Sequence, residues 1–354
     1  MAFSICLLSW SATEYRNQIN AADQLINLQA SIRWGTNFLL KAHNTSSNTL
    51  YTQVGDANRD HQCWERPEDM DTPPTLYKIT SSSPGTEPAA EAAAALAAAS
   101  IVFKGVDSNY SALLLNHSKS VDKYRGSYQG SCPFYCSYSG YQDELLWGAV
   151  WLYKASGDNA YLNYASNNEG WSQAANEFSG LLYTRDSSNL QYATSASMIL
   201  LVYSNILTAA RVNGVQCGSV NFSTSKIKDF AKSQVDYILG NNPMKMSYMV
   251  GFGSKYPTQL HHRGASLPSI YNHSAKIGCN DGYSTWYTSS KPNPNTHVGA
   301  IVGGPNSNDQ FTDSRTDYSH LEPTTYINAA FVGSVAALIG QSKEENILFT
   351  LADV

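Results

Sequence analysis

Apolar residues recur at helical spacing along most of the chain and strand-like alternation is scarce, which confines the fold to helices packed on helices. Ala22, Leu25, Ile26, Ile32, Phe38 and Leu39 mark one face of a helix near residues 20 to 43. Thr86-Glu-Pro-Ala opens another, with Glu87 and Glu91 in its first turns and an Ala-rich body to Phe103. Further helices are expected near 108 to 120, 142 to 156, 158 to 177, 190 to 212, 224 to 239 and 324 to 341. With one at the N-terminus, the pattern gives roughly nine single amphipathic helices of similar length. No signature repeats at the spacing of a TPR or HEAT solenoid, so the pattern points to an all-α fold of the α/α-barrel or helical-toroid kind, without an internal domain linker.

Composition narrows the function classes. The 354 residues are 42% hydrophobic and 14% charged, enough to bury one large core or two medium ones. A net charge of −5 without a Lys/Arg block argues against a nucleic-acid binder or a polybasic membrane reader. No stretch approaches the ~20 consecutive apolar residues of a membrane span. The opening Met1 to Trp10 is apolar like a secretory h-region, but it lacks a basic lead and runs straight into amphipathic sequence. It reads as part of the domain.

Six cysteines, Cys6, Cys63, Cys132, Cys136, Cys217 and Cys279, are scattered. The pair Cys132 and Cys136 has no second pair at zinc-site spacing, and neither a metal nor a cofactor is expected. One or two disulfides are allowed, Cys217 with Cys279 among the open pairings. Sequons at Asn44, Asn109, Asn116, Asn221 and Asn272 are about as many as chance supplies in a chain this rich in Asn, Ser and Thr, and they only permit a secreted reading.

Residues 51 to 85 and 241 to 321 are long loops rich in Gly, Pro, Asn, His, Asp and aromatics, where a helical scaffold carries its site. Asp56 to Asp71 holds His61, Trp64 and Arg66 among acids. This is either a sugar-binding surface, with an indole against a pyranose face, or a loop pinned by ion pairs. Ser137 to Tyr153 places Tyr138 and Tyr141 ahead of a helix as ligand contacts, Asp143 and Glu144 as first-turn acids, and Trp147 and Trp151 in the core. In Leu260-His261-His262-Arg263, adjacent side chains diverge, so at most one His shares a pocket with Arg263. Asp309 to Asn328 brings three Asp and Glu322 within fourteen residues, and Glu322 precedes Pro323 and a helix, as a general acid or a cap. P-loop, G-x-S-x-G, H-E-x-x-H and G-x-G-x-x-G motifs are missing, which leaves the carboxylates, His, Arg and aromatics used to hydrolyse glycosidic bonds.

Phe311-x-Asp313, Tyr318 and Glu322-Pro-Thr-x-Tyr326-Ile-Asn328-Ala resemble one signature of glycoside hydrolase family 9. Ser247 to Gly253, Lys255 and Leu260-His261-His-Arg263 resemble the other. Asp56 to Asp71, Ser139 to Gly157, Gly180 to Asn189 and Ile238 to Pro243 are similar to plant members, the endo-1,4-β-glucanases, and the resemblance runs from Met1 to about Gly340. It implies an (α/α)6 barrel, the whole of residues 1–354 forming one catalytic domain, that hydrolyses internal β-1,4-glucosidic bonds with inversion. By the resemblance Glu322 is the general acid, Asp313 and His261 are catalytic, and His61, Trp64, Tyr141, Arg263 and Tyr326 bind substrate. The partner implied is a β-1,4-glucan, with no nucleic acid and no membrane. The protein is expected to be a monomer, secreted to the cell wall or other extracellular space, although no signal segment precedes Met1.

Two departures qualify these expectations. The family's water-activating Asp-Ala-Gly-Asp motif lies ahead of the segment like Met1-Ala-Phe and has no counterpart here, so the alternative is a glucan-binding relative lacking its general base. The family also carries several dozen residues between the segments like Trp171 to Ser179 and Gly180 to Asp186, which are joined directly in this chain. An incomplete barrel, open on one side or filled by a neighbouring chain, is the expected consequence.

Overall fold

A computed structural model describes residues 1–121, 126–130, 132–138, 140–168, 176–178 and 180–339. Helices of nine residues or more span Ala2–Glu14, Leu25–Ala42, Thr86–Phe103, Ser108–Ser120, Gln142–Ser156, Asn159–Asn167, Leu190–Ala209, Thr224–Ile238 and Thr325–Ile339. The apolar opening is thus helix, and each expected helix is present with trimmed ends. The one expected over 158 to 177 reaches Asn167, while residues 169–175 and 179, where the two family segments are joined, lie outside the described residues. Side-chain caps fix several starts: Asp107 accepts from the Tyr110 N–H, Asp158 from Ala160 and Ser223 from Lys226. Strand is scarce among the described residues, as expected, but it is present. Three small antiparallel sheets occur, formed by His43–Asn44, Thr49–Val54 and Leu76–Thr80, by Asn176–Phe178 with Leu181–Tyr183, and by Gly214–Cys217 with Val220–Ser223. Each is short, too brief for its alternation to stand out from the surrounding loops.

The chain divides into two compact units, Met1–Asp60 with Thr72–Gln173, and His61–Asp71 with Ala174–Val354. The first is organised around the Ala-rich helix Thr86–Phe103, against which Ala2–Glu14, Ser108–Ser120 and Gln142–Ser156 pack. Ala94 through Ala99 are completely buried. Small side chains let the neighbouring backbones approach, and the Ser118 hydroxyl donates to the Ala93 carbonyl at 2.7 Å across that contact. Trp10 meets Trp147 and Trp151 with ring centroids 5.8 Å apart, in keeping with the core reading of the two helix indoles. Asp143 and Glu144 do stand in the first turn of their helix, but burial, followed by a hydrogen bond with Asp143, pushes Glu144 up to about 8.

In the second unit Leu190–Ala209, Thr224–Ile238 and Thr325–Ile339 pack on one another over a core that includes Leu190, Ile238, Tyr248, Ile301 and Ile327. Leu190–Ala209 is long and apolar enough to cross a membrane by length and composition alone, yet it carries buried Leu190, Ala193, Ser197, Met198, Leu201 and Leu207 as a core helix does.

The loops of this unit are cross-braced. A disulfide joins Cys63 to Cys279, closing 216 residues, and corrects the Cys217–Cys279 pairing: Cys217 is an exposed free thiol in a hairpin. In the first unit Cys132 is bonded to Cys136. Arg66, 1% exposed, donates to the carbonyls of Pro268, His273 and Ala275 and pairs with Asp69 at 2.7 Å. Asp69 accepts the Ile277 N–H at 2.8 Å, and Lys276 pairs with Asp71. Ion pairing therefore does pin residues 61–71, onto the chain from 266 to 283. The fit is close enough that a Cβ on Gly282 would lie 1.5 Å from the Trp64 carbonyl oxygen.

Two predictions follow from these contacts. His43, 3% exposed, has Nδ1 3.2 Å from Nδ1 of His117, so one neutral ring donates to the other. Burial and then the neighbouring imidazole push His43 down to about 4, and burial lowers His117. The unfolded chain then binds more protons between that value and an ordinary His pKa of about 6.5, so the contribution present above pH ~6.5 is lost as pH falls. Urea unfolding of the wild type is expected to lose on the order of 3 kcal/mol from this site between pH 7 and pH 4, a loss that His43→Phe abolishes; an unchanged slope in the variant refutes the assignment. In the second unit, Gly282→Ala is expected to destabilise by about 1–3 kcal/mol or more. Gly278→Ala, whose Cβ meets nothing within 4 Å, serves as the control in thermal unfolding, and equal melting temperatures for the two variants would remove the contact as the reason for glycine.

Candidate active site

Apart from Tyr326, the site residues of the second unit are carried by its loops rather than its long helices. Glu322 occupies the C-terminal cap position of the short helix Tyr318–Leu321, its N–H donating to the Tyr318 carbonyl at 3.2 Å and its backbone extended at φ −80°, ψ 118°. Pro323 favours that extension in the residue before it. The glutamate therefore closes one short helix, and its half-buried carboxyl accepts no hydrogen bond from any described residue. Burial raises its pKa above the ordinary glutamate value, and the charge of His61 pulls weakly the other way.

Asp313 is bonded very differently. Its carboxylate accepts from the Thr258 N–H and hydroxyl, both at 2.8 Å, and from the Gln259 N–H at 2.9 Å, while its carbonyl accepts from the Gln259 amide at 2.8 Å. These bonds fix the two residues that lead into Leu260 and His261. With three donors already on it, this carboxylate is arranged to position the loop.

His261 donates its backbone N–H to the Leu321 carbonyl at 3.1 Å, which ties it to the residue next to Glu322. Its Nδ1 lies 2.8 Å from the Arg315 carbonyl. A carbonyl only accepts, so Nδ1 carries the proton and Nε2 presents a lone pair in the neutral ring. Burial lowers this pKa, and the charges of Arg263, His61 and Arg315 act in the same direction, so the ring is neutral at neutral pH. His262 points elsewhere: its Nδ1 accepts the Ala265 N–H at 3.2 Å and its ring packs on His297. One of the two histidines joins the cluster, as the divergence of adjacent side chains requires.

Trp64 requires a correction. It is 5% exposed, so its indole offers no open face to a sugar. Its Nε1 donates to Ser266 at 3.1 Å, its ring lies 4.8 Å from those of His261 and Tyr287, and the Arg263 guanidinium sits 5.7 Å from its centroid. Trp64 backs His261 and Arg263 from behind. His61 is exposed, and its carbonyl accepts from the Tyr283 hydroxyl at 3.3 Å. Tyr326, one residue into Thr325–Ile339, is half-buried, and burial raises its hydroxyl pKa, with the charge of Glu322 acting in the same direction. Tyr141 belongs to the first unit, half-buried at the start of Gln142–Ser156, while Tyr138 is 87% exposed.

Sequence reasoning missed Arg315 and Tyr287. Arg315 is 1% exposed and spends its guanidinium on the carbonyls of Trp286, Ser289 and Lys291 and on the Asn293 side chain. Arg315 stands in a turn between two Asp residues, and its partners lie more than twenty residues away, so no local pattern marks it. None marks Tyr287 either, since its ring contacts with Trp64 and His261 are long-range.

A model of the family described as Glycosyl hydrolase family 9 matches residues 1–179 and 170–335. An endoglucanase of Phaseolus vulgaris is 59% identical over 397 residues, covering 97% of this chain and 80% of its own length, and Endoglucanase 18 of Arabidopsis thaliana is likewise 59% identical, with 97% and 83% covered. These alignments are longer than the 354-residue chain, and the two family matches meet near residues 170–179, so the relatives carry residues without a counterpart here. Among solved structures, an endoglucanase from the termite Nasutitermes takasagoensis superposes with a TM-score of 0.84 at 33% identity, covering 97% of this chain and 85% of that one. The cellulase Cel9M of C. cellulolyticum in complex with cellobiose gives 0.80 at 27%, covering 96% and 84%. The fold class is that of these enzymes, the (α/α)6 barrel expected from the sequence. The chain belongs to glycosyl hydrolase family 9.

Proposed function

We propose that Glu322 is the general acid with which this family 9 hydrolase cleaves internal β-1,4-glucosidic bonds of cellulose-like glucans, with inversion at the anomeric carbon. The observation that carries the assignment is the contrast between the two carboxyls of the signature. Asp313 is consumed by three hydrogen bonds, while Glu322 is half-buried, unbonded and raised in pKa. A general acid must hold its proton near the working pH, and burial without a hydrogen-bonded counter-group does that for a glutamate. A glucan that displaces water from the site strengthens the same effect.

In the proposed reaction the Glu322 proton passes to the glycosidic oxygen as the bond to the anomeric carbon breaks. Water adds to that carbon from the opposite face and releases its proton to bulk water. The carboxylate left on Glu322 faces the charge of His61. Neutral His261 accepts a sugar hydroxyl at Nε2, and Arg263, Tyr326 and His61 donate or accept around the ring. Asp313 and Trp64 hold the wall behind them. The endoglucanase relatives and the cello-oligosaccharides named with the solved cellulases support the substrate class. Residues 1–354 act in this reading as one catalytic domain and as a monomer, outside the cell, where the polymer lies.

Glu322→Gln is expected to lower hydrolysis of carboxymethylcellulose by about 10²–10⁴-fold at an unchanged melting temperature. The wild-type rate should also fall as pH rises through the raised Glu322 pKa, because the acid form is the active one, and that limb should vanish in the variant. A folded Glu322→Gln enzyme within threefold of the wild type would sink the assignment.

A further inference from the structure

Arg315 grips the active-site wall at two points, one at the end of the π-helix Gly282–Tyr287 and the chain after it, the other at His261. Its Nε and Nη2 donate to the Asn293 side chain at 2.8 and 2.6 Å, Nη1 to the carbonyls of Trp286 and Ser289 at 2.7 Å, and Nη2 to that of Lys291 at 2.9 Å. A longer contact at 3.4 Å reaches the Tyr287 carbonyl, and the Tyr287 ring packs on Trp64 and His261. The backbone carbonyl of the same Arg315 accepts the Nδ1 proton of His261. Two residues earlier, Asp313 clamps Thr258 and Gln259, the chain that leads into His261. We infer that Arg315 is a positioning residue for the hydrolysis: by anchoring the 286–293 loop through its guanidinium and His261 through its carbonyl, it holds that imidazole in the one tautomer and orientation that leave Nε2 as an acceptor toward substrate.

The inference rests on the reading of Glu322 and His261 as the active site. A cation so deeply buried without an ion pair among the described residues is bonded only to carbonyl oxygens, with the charge of Asp313 nearby, so its geometry is set by the five fixed N–H vectors of a guanidinium. Lysine has three donors on a rotating ammonium and cannot reproduce that fork. Arg66 provides the internal comparison. It is equally buried and also collects loop carbonyls, but its bonds go to Pro268, His273, Ala275 and Asp69 and none reaches His261. A purely structural brace predicts the same behaviour for both arginines, whereas a positioning role predicts that only Arg315 governs the state of His261.

Long-range ¹H–¹⁵N spectra of the imidazoles in the full chain, recorded across pH, separate the two. In the wild type, His261 is expected as the Nδ1–H tautomer titrating below ~6.5. In Arg315→Lys the ring is expected to become a tautomer mixture, and kcat on a soluble cello-oligosaccharide to fall about tenfold to a hundredfold, more than KM changes. Arg66→Lys should lose thermal stability yet keep the wild-type His261 signals. An Nε2–H tautomer in the wild type overturns the inference without any variant, as does an unaltered His261 spectrum in folded Arg315→Lys. If Arg315→Lys does not fold, Asn293→Ala, which removes the acceptor of two guanidinium bonds, is read in the same way. Should Glu322→Gln stay active while Arg315→Lys shifts the His261 tautomer, the assignment of the acid fails and the positioning role stands. Loss of activity in Glu322→Gln beside an unmoved His261 in Arg315→Lys has the opposite meaning.

Discussion

The chain between Ile238 and Thr325 has no long helix and no strand ladder, so its buried carbonyls must find donors elsewhere, and two buried guanidiniums supply them. Arg315 serves the stretch from Trp286 to Asn293, and Arg66 serves the stretch from Pro268 to Ala275. Side-chain amides repeat the device on a smaller scale: Asn295 donates to the carbonyls of Gly264 and Leu267, and Asn242 to those of Tyr237 and Met246. Burying an unpaired cation is unfavourable unless its donors are filled, and here the loop is the solvent that fills them. Everything that faces the reaction in this unit, His261 above all, is placed relative to that network.

The same accounting separates the two carboxyls that the family signature sets side by side. A carboxylate that accepts three hydrogen bonds is fixed in place, and it fixes its donors in turn. Asp313 is of this kind. Glu322 lies nine residues further on, in a half-buried position with no such bonds, and its neutral form is favoured. Fixed polar groups around a group that must change its charge would oppose the change. The loop spends its hydrogen bonds on the residues that hold and leaves the residue that acts without them.

Helices were legible because periodicity is a local signal. The N-terminal run and the Ala-rich segment are apolar nearly all round and largely buried, while the amphipathic stretch that includes Val235 and Ile238 is buried on one face. The site was legible only as a set of names. His261, Arg263 and Glu322 stand in motifs, and the structure brings them to one region of the second unit. What each does there depends on partners far away in sequence. Trp64 looked like a sugar platform from its acidic neighbours, but the Cys63–Cys279 bond and the Ser266 hydroxyl draw it inward. The disulfide partner of Cys279 could not be read from spacing, since the two cysteines stand 216 positions apart with six long helices between them among the described residues.

A raised carboxyl pKa does not by itself mark a catalytic acid, and the first unit shows why. Asp143 and Glu144 begin a helix, where the dipole favours negative charge by about 0.3–1 kcal/mol at an exposed site. Desolvation is the larger effect when water is excluded, and Glu144 rises to about 8 despite its place at the helix start. Glu91, in the body of the Ala-rich helix, rises to about 7 for the same first reason, even with the terminal amine of Met1 opposing it. One carboxyl oxygen of each of Glu91 and Glu144 is sealed from solvent without a hydrogen-bond partner, which closes that oxygen to a sugar. Glu322 has no oxygen so sealed among the described residues, and it stands by His61, an exposed imidazole whose charge favours the carboxylate produced when the proton leaves. Raised pKa, open access and a counter-charge matched to the product coincide at Glu322, and it is this coincidence, more than the shift, that separates an acid catalyst from a buried neutral carboxyl.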